Sequence, residues 1–543
     1  MKISLKTTAV LAVALFALNA VSVAQQMPAK ADLPKNWHTL DLQKDGYFGV
    51  SLNQAYDFLK GKKSKTVIVA TIDSGVDTLQ KDLRPILWVN TQEKAGNGKD
   101  DDHNGYTDDI HGWNFLGGPN NKSDVNETTE EVREYYRLKD KYAAITIASA
   151  APDKAEYAYW LKVKAIRDST VGKSQAELNQ LSPLMNALVT TDAFLKRSLN
   201  LKAGQSFTKN DLSKLDSKND TLTQSKYIWG LIFQDADNAK TDTKTITELN
   251  EYITKLNNDV NPDLDSRKRV VGDNPNDIND KVYGSNQLEF DDASHGTGVA
   301  GLIGAIRNNG YGIDGIADNV KIMAIKAVPN GDEYDKDIAN AIRYAVDNGA
   351  KVVNMSFGKK ISPHKKWVDD AIKYAADKDV LLVQASGNDN QDVDVKPEFP
   401  NDTFLDGTTS NNLISVGASA ALKDENLAAT FSNYGKKNVD VFAPGVKVTS
   451  IDKDAEFNTA DGTSFASPIT AGIAALVLEY YPTLSARQLK EVILASAKPL
   501  QMQVIKPGSK EKVDFTTLSK TGGVVNALEA LKIASTMKGE RKR

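Results

Sequence analysis

The sequence predicts an α/β fold, with a mostly parallel central sheet, helices on both faces of the sheet, and a large, mostly helical insertion. Two observations lead to this fold class. From about residue 66 onward, short apolar runs rich in β-branched residues alternate with amphipathic runs at helical spacing, as parallel strands joined by crossover helices require. Between about 126 and 280 this alternation stops, and Lys, Asp, Asn and Glu dominate stretches with helical periodicity.

Individual elements follow from the same patterns. Short apolar runs predict buried strands at 66–72, 320–326, 351–355, 380–385 and 413–416. Amphipathic spacing predicts helices in the sheet region at 335–348 and 363–378, and in the insertion at 129–148, 156–167 and 246–257. The polar stretches 241–245 and 273–280 are predicted to be exposed loops.

Composition excludes several classes of protein. A chain of 543 residues is long enough for one large domain with an addition, or for two domains. Lys and Arg (67) nearly balance Asp and Glu (71), so no nucleic-acid partner is expected. No apolar run beyond the N-terminus is long enough to span a bilayer, so no integral membrane segment is expected after it. The absence of cysteine excludes a thiolate nucleophile and disulfides.

The N-terminus has the pattern of a secretory signal. Lys2 and Lys6 precede an apolar stretch at 7–21, and the small residues 22–24 predict cleavage before Gln25. The alternative, a retained anchor helix, is disfavoured because the apolar stretch is short. We therefore expect export to a periplasm or to the outside of the cell, whereas the sequence leaves the oligomeric state open.

Two polar residues, Asp73 and His295, lie where predicted elements end or begin. Asp73 follows the first strand and precedes Gly75, at the carboxyl end of the sheet where such folds place ligand crevices. A cap or turn former is the alternative interpretation of Asp73. His295 begins a run rich in glycine and alanine, 296–304, in which small residues would let a helix pack closely against its neighbours.

Two further residues stand at comparable positions later in the chain. Ser464 precedes a long apolar helical run at 469–480, so its hydroxyl lies where helix amides favour a developing negative charge. A simple helix-capping role is the alternative. Asn388 follows Gly387 at the end of another strand, where its side-chain amide can project as a donor, although such turns are common.

Together these segments resemble the motifs of the subtilisin-like serine proteases (subtilases, peptidase family S8). Residues 73–75 match Asp-Ser-Gly, 295–297 match His-Gly-Thr, 386–388 match Ser-Gly-Asn, and 462–468 match Gly-Thr-Ser-Phe-Ala-Ser-Pro. The chain order Asp, His, Ser also agrees with that family. The resemblance covers about 66–117 and 292–531. It implies a subtilisin-like three-layer catalytic domain in two parts, 25–125 and 281–535, around the insertion 126–280, with a basic tail at 536–543.

The resemblance also implies roles for residues. Ser464 would be the nucleophile, His295 the general base and acid, and Asp73 the residue that orients the imidazole. Asn388 and the Ser464 amide would form the oxyanion hole. The segments that would bind an extended protein or peptide substrate are Ser356-Phe357-Gly358 and Ala385-Ser386-Gly387. No organic cofactor is implied.

Some features depart from the family pattern. Asp73 and His295 are 222 residues apart instead of a few dozen, because the insertion lies between them; it is either a cap or exosite over the cleft or a surface elaboration. Gly298 replaces the second histidine of the usual His-Gly-Thr-His motif. Only about 40 residues separate the predicted signal from the first strand, so activation by removal of a propeptide is not expected.

A calcium site is predicted in an acidic loop. Asp100, Asp102, Asn104 and Asp108 partly match a calcium-binding loop, with His111 standing where an EF-hand carries its bidentate Glu. Calcium is a common stabiliser in the resembling family. An acidic turn without an ion is the alternative.

Two other functions remain as alternatives. One is an inactive or gated binding module with the subtilase fold, which the presence of all four catalytic positions disfavours. The other is an esterase of the α/β-hydrolase class, but no Gly-x-Ser-x-Gly motif surrounds Ser464 and the order of the catalytic residues differs. The sequence therefore predicts an exported serine endopeptidase.

Overall fold

The computed structural model describes residues 33–216, 219–234, 240–290, 292–455 and 457–541. The chain divides into two compact units, a helical unit with Glu131–Asp263 and a sheet unit with Ala29–Glu130 and Leu264–Arg543. The predicted signal sequence lies outside the described residues, and the predicted domain boundaries stay predictions. Within the described part of the chain, no helix combines the length and the apolar character needed to cross a bilayer.

The sheet unit is built on a sheet of parallel strands in the order β2-β3-β1-β4-β5-β6-β7. The strands are β1 (Val67–Asp73), β2 (Gly112–Asn114), β3 (Val320–Lys326), β4 (Val352–Met355), β5 (Leu381–Ala385), β6 (Leu413–Ser419) and β7 (Val441–Pro444). The predicted α/β fold class and the predicted strands are confirmed. The short strands β2 and β7 were not predicted, because runs of three or four residues carry no usable periodicity.

Two antiparallel pairs complete the strands of the sheet unit. They are β8 (Val448–Ile451) with β9 (Phe457–Ala460), and β10 (Gln503–Ile505) with β11 (Lys512–Asp514). Neither pair belongs to the seven-stranded sheet.

Helices cover both faces of the sheet. We name two of them the histidine helix (Ser294–Gly304) and the serine helix (Thr463–Tyr480). These two share one core cluster with Leu52–Leu59, Ala486–Ser496 and Ala527–Thr536. The opposite face has its own cluster, which contains the predicted helices Asp335–Asp347 and Lys365–Asp377. Short helices at Leu42–Asp45 and Ser266–Val270 complete the sheet unit.

The strand order brings polar segments together at one edge. β1 and β5 both neighbour β4, and all three strands run in parallel, so their carboxyl ends meet. β1 and β5 are almost entirely buried along their length, as expected for strands covered on both faces. Buried apolar strands thus carry Asp73 and the segments that follow β4 and β5 to a common edge.

The helical unit contains five α-helices among its described residues. They are Glu130–Tyr142, whose first residue belongs to the sheet unit, Lys154–Ser198, Lys209–Ser213, Asp220–Ile232 and Asp242–Val260. It has two cores: one is mostly aromatic and lies around Trp160, and the other combines leucines with aromatic rings around Trp229. The helix predicted at 156–167 continues to Ser198, with Pro183 inside it. The prediction of an exposed loop at 241–245 is wrong, because the helix Asp242–Val260 begins there. Thr241 caps this helix by accepting a hydrogen bond from the Lys244 N–H.

Candidate active site

Asp73 and His295 form a direct pair at the carboxyl edge of the sheet. Asp73 ends β1 with its side chain buried, and its Oδ1 lies 2.6 Å from His295 Nδ1. The Ser74 N–H donates to the same oxygen at 2.7 Å and helps to orient the carboxylate. The imidazole itself is 40% exposed. A buried carboxylate thus holds Nδ1 as a donor, which leaves Nε2 of an accessible ring to act as a base.

Close packing of the histidine helix allows this contact. Gly296 follows His295 directly, and a Cβ there would stand 2.0 Å from the Gly75 carbonyl oxygen. Further along the helix, a Cβ on Gly301 would stand 2.4 Å from a side-chain carbon of Ile451. The close packing predicted from the small residues is therefore confirmed.

Opposing effects set the pKa of His295. Desolvation lowers the pKa of His295. The charge of the Asp73 carboxylate and its hydrogen bond together raise the pKa by more than desolvation lowers it, so the pKa lies above the ordinary value of 6.5. Because the carboxylate stabilises the imidazolium, His295 is a stronger base than a free histidine.

A buried lysine lies beside this pair. Lys326 is the register partner of Asp73 on β3, and its Nζ donates to the Ser74 carbonyl and to the Asp292 carboxylate, each at 2.5 Å. Burial lowers the pKa of Lys326, while the charge of Asp292 opposes this effect. Lys326 was not predicted as a functional residue, because its only sequence signal is a charge at the end of an apolar run.

Ser464 occupies the first turn of the serine helix, as predicted. Its hydroxyl donates to the Ser356 carbonyl at 3.3 Å, and the Ser356 hydroxyl donates to the Ser464 carbonyl at 2.9 Å. Phe465 places its ring centroid 6.3 Å from that of His295. Among the residues that the structure describes, no hydrogen bond joins Ser464 to His295, so the structure brings the serine near the pair without linking it.

A buried polar network fixes the start of the serine helix. Ser467 is fully buried and donates to Asn354 on β4 at 2.8 Å and to the Val383 carbonyl on β5 at 3.2 Å. Asn354 in turn donates to the Ser356 hydroxyl at 2.9 Å. Since every member has a partner inside the protein, the network positions Ser464 relative to the strand ends.

Thr463, which was not predicted as a functional residue, holds Asn388. The N–H and the hydroxyl of Thr463 both donate to Asn388 Oδ1 at 2.9 Å, so the amide must present Nδ2 on its other side. That Nδ2 and the Ser464 N–H nitrogen lie 3.8 and 3.6 Å from the place where a Cβ on Gly462 would stand. Two donors thus converge on one small region that only glycine leaves open.

The predicted substrate segments follow neighbouring strands. Ser356-Phe357-Gly358 continues β4, and Ala385-Ser386-Gly387 spans the end of β5. Gly358 is exposed and Gly387 is partly exposed, whereas Ala385 and Ser386 are buried. Both segments therefore border the open edge where Asn388 lies.

The residues of the predicted calcium loop only partly cluster. Ligand oxygens of Asp100 and Asp102 lie with one from Glu93 within 4.8 Å of one another. Asn104 donates to the Asp102 carboxylate at 3.2 Å, and Asp108 accepts from the backbone of the preceding turn, 97–98. Glu93 was missed because it lies outside the loop pattern. Three carboxylates in one cluster are a donor set that suits Ca²⁺.

A second carboxylate has a feature that suits a cation. Asp82 is fully buried; its Oδ1 accepts from Asn309 at 2.6 Å, whereas its Oδ2 has no hydrogen-bond donor among the described residues. Burial raises the pKa of Asp82. Gly312 packs directly on Oδ2, which a Cβ would approach to 1.8 Å. No sequence signal distinguished this aspartate from other turn residues.

A family model and curated relatives match much of the sheet unit. The model of the Subtilase family, peptidase S8, matches residues 253–522, which include His295, Asn388 and Ser464 but not Asp73. A thermophilic serine proteinase of Bacillus sp. strain AK1 is 38% identical over 217 residues, which are 40% of this chain and 48% of the relative. Subtilisin DY of Bacillus licheniformis is 35% identical over 215 residues, 39% of this chain and 72% of that protein.

Among solved structures, a protease from Pseudoalteromonas arctica is 17% identical, with a TM-score of 0.44, over 92% of this chain and 97% of that one. The chain spans about half or less of the length of the first curated relatives that it matches, from 48% down to 25%.

Proposed function

This chain belongs to the subtilase family, and from that premise we propose that it is a serine endopeptidase that uses Asp73, His295 and Ser464 as its triad and Asn388 in its oxyanion hole. The observation that carries the proposal is the 2.6 Å contact between buried Asp73 and accessible His295, two residues 222 positions apart in the sequence. Such a contact supplies a general base of raised pKa beside a serine at a helix N-terminus.

The proposed reaction has two stages. Ser464 Oγ attacks the scissile carbonyl carbon while His295 Nε2 takes its proton, and Asp73 stabilises the imidazolium that forms. The carbonyl oxygen becomes an oxyanion, to which Asn388 Nδ2 and the Ser464 N–H donate. His295 then returns the proton to the leaving amine, and an acyl-enzyme on Ser464 remains. Water, deprotonated by His295, releases the acyl group by the reverse sequence of proton transfers.

The proposed substrates are extended protein or peptide segments. Ser356-Phe357-Gly358 continues β4 beyond its last strand pairing, so its backbone groups can pair with a substrate that adds as a further strand. Main-chain pairing selects an extended conformation more than a sequence. Flexible or unfolded protein segments are therefore the expected substrates.

One observation favours the gated alternative as a second candidate. Ser464 Oγ donates to the Ser356 carbonyl at 3.3 Å and not to His295. A chain locked in this arrangement would bind peptides without cleaving them. However, catalytic hydrogen bonds are often formed only in the substrate complex, so we keep the endopeptidase as the proposed function.

Hydrolysis of casein and of a fluorogenic peptide by the chain 25–543, beside its Ser464→Ala variant, tests the proposal. By the figures known for subtilisin, the loss of the serine lowers turnover by about 10⁶-fold. A serine-directed covalent inhibitor serves as the second control, since it should abolish the wild-type activity and leave the variant unchanged. Wild-type hydrolysis that survives in Ser464→Ala contradicts the proposal, and peptide binding without hydrolysis supports the gated module.

We also propose that Ca²⁺ stabilises the sheet unit. The cluster of Glu93, Asp100 and Asp102 fits it, whereas the buried Asp82 offers one carboxylate and serves as the comparison. An ion at 100 times its Kd stabilises a fold by about 2.7 kcal/mol, so a chelator should lower the Tm by several degrees. Asp82→Asn and Asp102→Asn, measured separately by calorimetry with and without Ca²⁺, identify the place by which variant loses the shift. An unchanged Tm in the wild type contradicts the proposal.

Residues 1–24 are proposed to direct export. N-terminal sequencing of the mature chain should begin at Gln25. A mature chain that still begins at Met1 contradicts this prediction.

A further inference from the structure

A glutamate carboxylate lies between the two predicted substrate segments. Glu398 Oε2 is 2.4 Å from the place where a Cβ on Gly387 would stand and 3.2 Å from the corresponding place on Gly358. Any larger residue at Gly387 would collide with that carboxylate. The carboxylate therefore fills the space that the two glycines leave between the ends of β4 and β5.

A short antiparallel bridge holds Glu398 there. Lys359 and Phe399 exchange backbone hydrogen bonds of 2.9 Å in both directions, and this antiparallel register places Glu398 opposite Lys360, two residues along from Gly358. On the other side, the Asn433 N–H donates to the Gly387 carbonyl at 2.9 Å, and the Asn433 side chain donates to the Ser386 carbonyl at 2.9 Å. The carboxylate is thus positioned by backbone pairing, and its place does not depend on a flexible loop.

The same space opens toward the reacting groups. Gly358 is exposed, and both Gly387 and Glu398 are partly exposed, so the carboxylate borders the groove and does not face the core. Asn388, the proposed oxyanion donor, follows Gly387 directly. A substrate carbonyl held by Asn388 would therefore place the side chain on its amino side close to Glu398.

The groups around Glu398 are mostly acidic. Burial and the neighbouring Asp389 carboxyl, to which it is hydrogen-bonded, raise the pKa of Glu398 well above its usual value, and Asp332 adds to the effect. The nearby cation is Lys360, whose Nζ lies 3.4 Å from Asp389 Oδ1 and whose side chain is 40% exposed. Three carboxyl groups thus face one ammonium group, which is exposed enough to move into solvent when another cation enters.

We propose that Glu398, with Asp389, forms an acidic specificity pocket that selects Lys or Arg as the substrate residue on the amino side of the scissile bond. This inference rests on the proposed endopeptidase function and deepens it by naming the substrate class. A basic side chain extends between Gly358 and Gly387, and its positive charge favours the ionised form of Glu398, with which it then pairs. An apolar side chain of equal length supplies no positive charge and further desolvates the two carboxyl groups, which disfavours it. In trypsin, a protease with an unrelated fold, a carboxylate in the specificity pocket sets the same preference.

Two peptide p-nitroanilides that differ only in one ammonium group test the pocket directly. They are Ala-Ala-Pro-Lys and Ala-Ala-Pro-norleucine, which share the same carbon stem. The wild-type chain should cleave the lysyl substrate with a kcat/KM roughly 10- to 100-fold above that for norleucine. Glu398→Gln should remove most of this preference by lowering kcat/KM for the lysyl substrate, while norleucine cleavage is kept or improved.

Matched variants separate charge from folding. Glu398→Asp retains the carboxylate and should retain a preference for lysine, and it serves if Glu398→Gln does not fold. Glu511→Gln makes the same chemical change at an exposed side chain, 63% accessible and paired with Lys506, and should leave both rates unchanged.

The outcomes distinguish the two levels of the account. Cleavage of neither substrate by the folded wild type overturns the endopeptidase proposal, and the specificity pocket with it. Cleavage of both with no preference for lysine, or a lysine preference that Glu398→Gln leaves intact, overturns the pocket alone.

Discussion

The sheet unit and the helical unit treat buried polar side chains in different ways. In the sheet unit, apolar strands end in polar segments that meet at one edge, where Asn388 and Gly358 are exposed and the His295 side chain is 40% exposed. In the helical unit, polar side chains are paired inside the bundle, as when fully buried Asp242 accepts from the Phe207 N–H at 2.5 Å and lies 2.7 Å from Lys196. The comparison indicates that a buried charged side chain belongs to a candidate active site only where it lies beside side chains that are accessible to solvent.

Perturbed titration follows the same distinction. In the helical unit, burial and the neighbouring Asp242 raise the pKa of Asp192 to about 6. In the sheet unit, the pKa of His295 is raised in the presence of Asp73, but the imidazole remains accessible. A shifted pKa alone therefore does not identify a catalytic group, whereas a shifted pKa on an accessible ring beside a nucleophile supports that assignment.

The two units also differ in how closely their elements pack. The sheet unit relies on glycines such as Gly296 and Gly301, which bring backbone within reach of neighbouring atoms. The helical unit fills its core with large rings, and Trp229 lies with its centroid 5.1 Å from that of Phe207. Close backbone packing positions reacting atoms, while large rings mainly bury apolar surface. This difference predicts where substitutions change chemistry and where they change only stability.

Of the substitutions considered below, Asp73→Asn should have the largest effect on turnover. In serine proteases the same change lowers turnover by about 10⁴-fold, because the imidazole loses its orientation and its stabilising charge. Steady-state kinetics with a peptide substrate measure this loss, and an unchanged Tm confirms that the fold is intact. Turnover within tenfold of the wild type would show that the Asp73–His295 contact is structural only.

Asn388→Ala should lower kcat by about 10²–10³-fold with little change in KM, since the oxyanion forms only in the transition state. Thr463→Val, which removes only the hydroxyl that donates to Asn388 Oδ1, should have a smaller effect in the same direction. A large rise in KM at constant kcat would instead assign Asn388 to ground-state binding.

The pH profile should show the raised pKa of His295. Catalysis requires the neutral imidazole, so kcat/KM should fall about tenfold per pH unit below an acid limb that lies above pH 6.5. The stability effect has the opposite sign: a raised folded pKa stabilises the fold below the ordinary histidine pKa, and this contribution is lost as the pH rises through the folded pKa. An acid limb below pH 6.5 contradicts the assignment.

Trp229→Ala tests the opposite side of the comparison. Loss of this fully buried ring should lower the free energy of unfolding of the helical unit by about 3–5 kcal/mol, while kcat/KM for a short peptide stays unchanged. Cleavage of casein by the same variant distinguishes the alternatives for the insertion, because only an exosite or cap should change the casein rate relative to the peptide rate. A lower peptide rate would show that the helical unit takes part in the chemistry.

Much of the sheet unit could be predicted from the sequence because its signals are local. Apolar runs predicted the main strands of the sheet, and the motifs around Asp73, His295 and Ser464 predicted one residue at a strand end and two at helix starts. The contact between Asp73 and His295 could not follow from spacing alone, since it depends on the close packing of the histidine helix against the turn that follows β1. The family resemblance supplied that information.

Other features escaped prediction because they depend on tertiary contacts. Asp242 and Asp273 lie in polar stretches predicted to be exposed, but their side chains are fully buried as partners of Lys196 and Arg267. The sequence position of a charged residue does not show which residue of opposite charge it contacts in the folded chain. For the same reason, no sequence signal indicated the hydrogen bonds from Thr463 to Asn388 or the position of the Glu398 carboxyl group beside Gly387.

Labelling with a fluorophosphonate, followed by intact mass and peptide mapping, tests the central claim most directly. The account predicts one adduct per chain, located on Ser464, with loss of hydrolysis in proportion to labelling and much slower labelling of Asp73→Asn. An adduct on another residue, or full hydrolysis by a chain whose Ser464 is completely labelled, would contradict it.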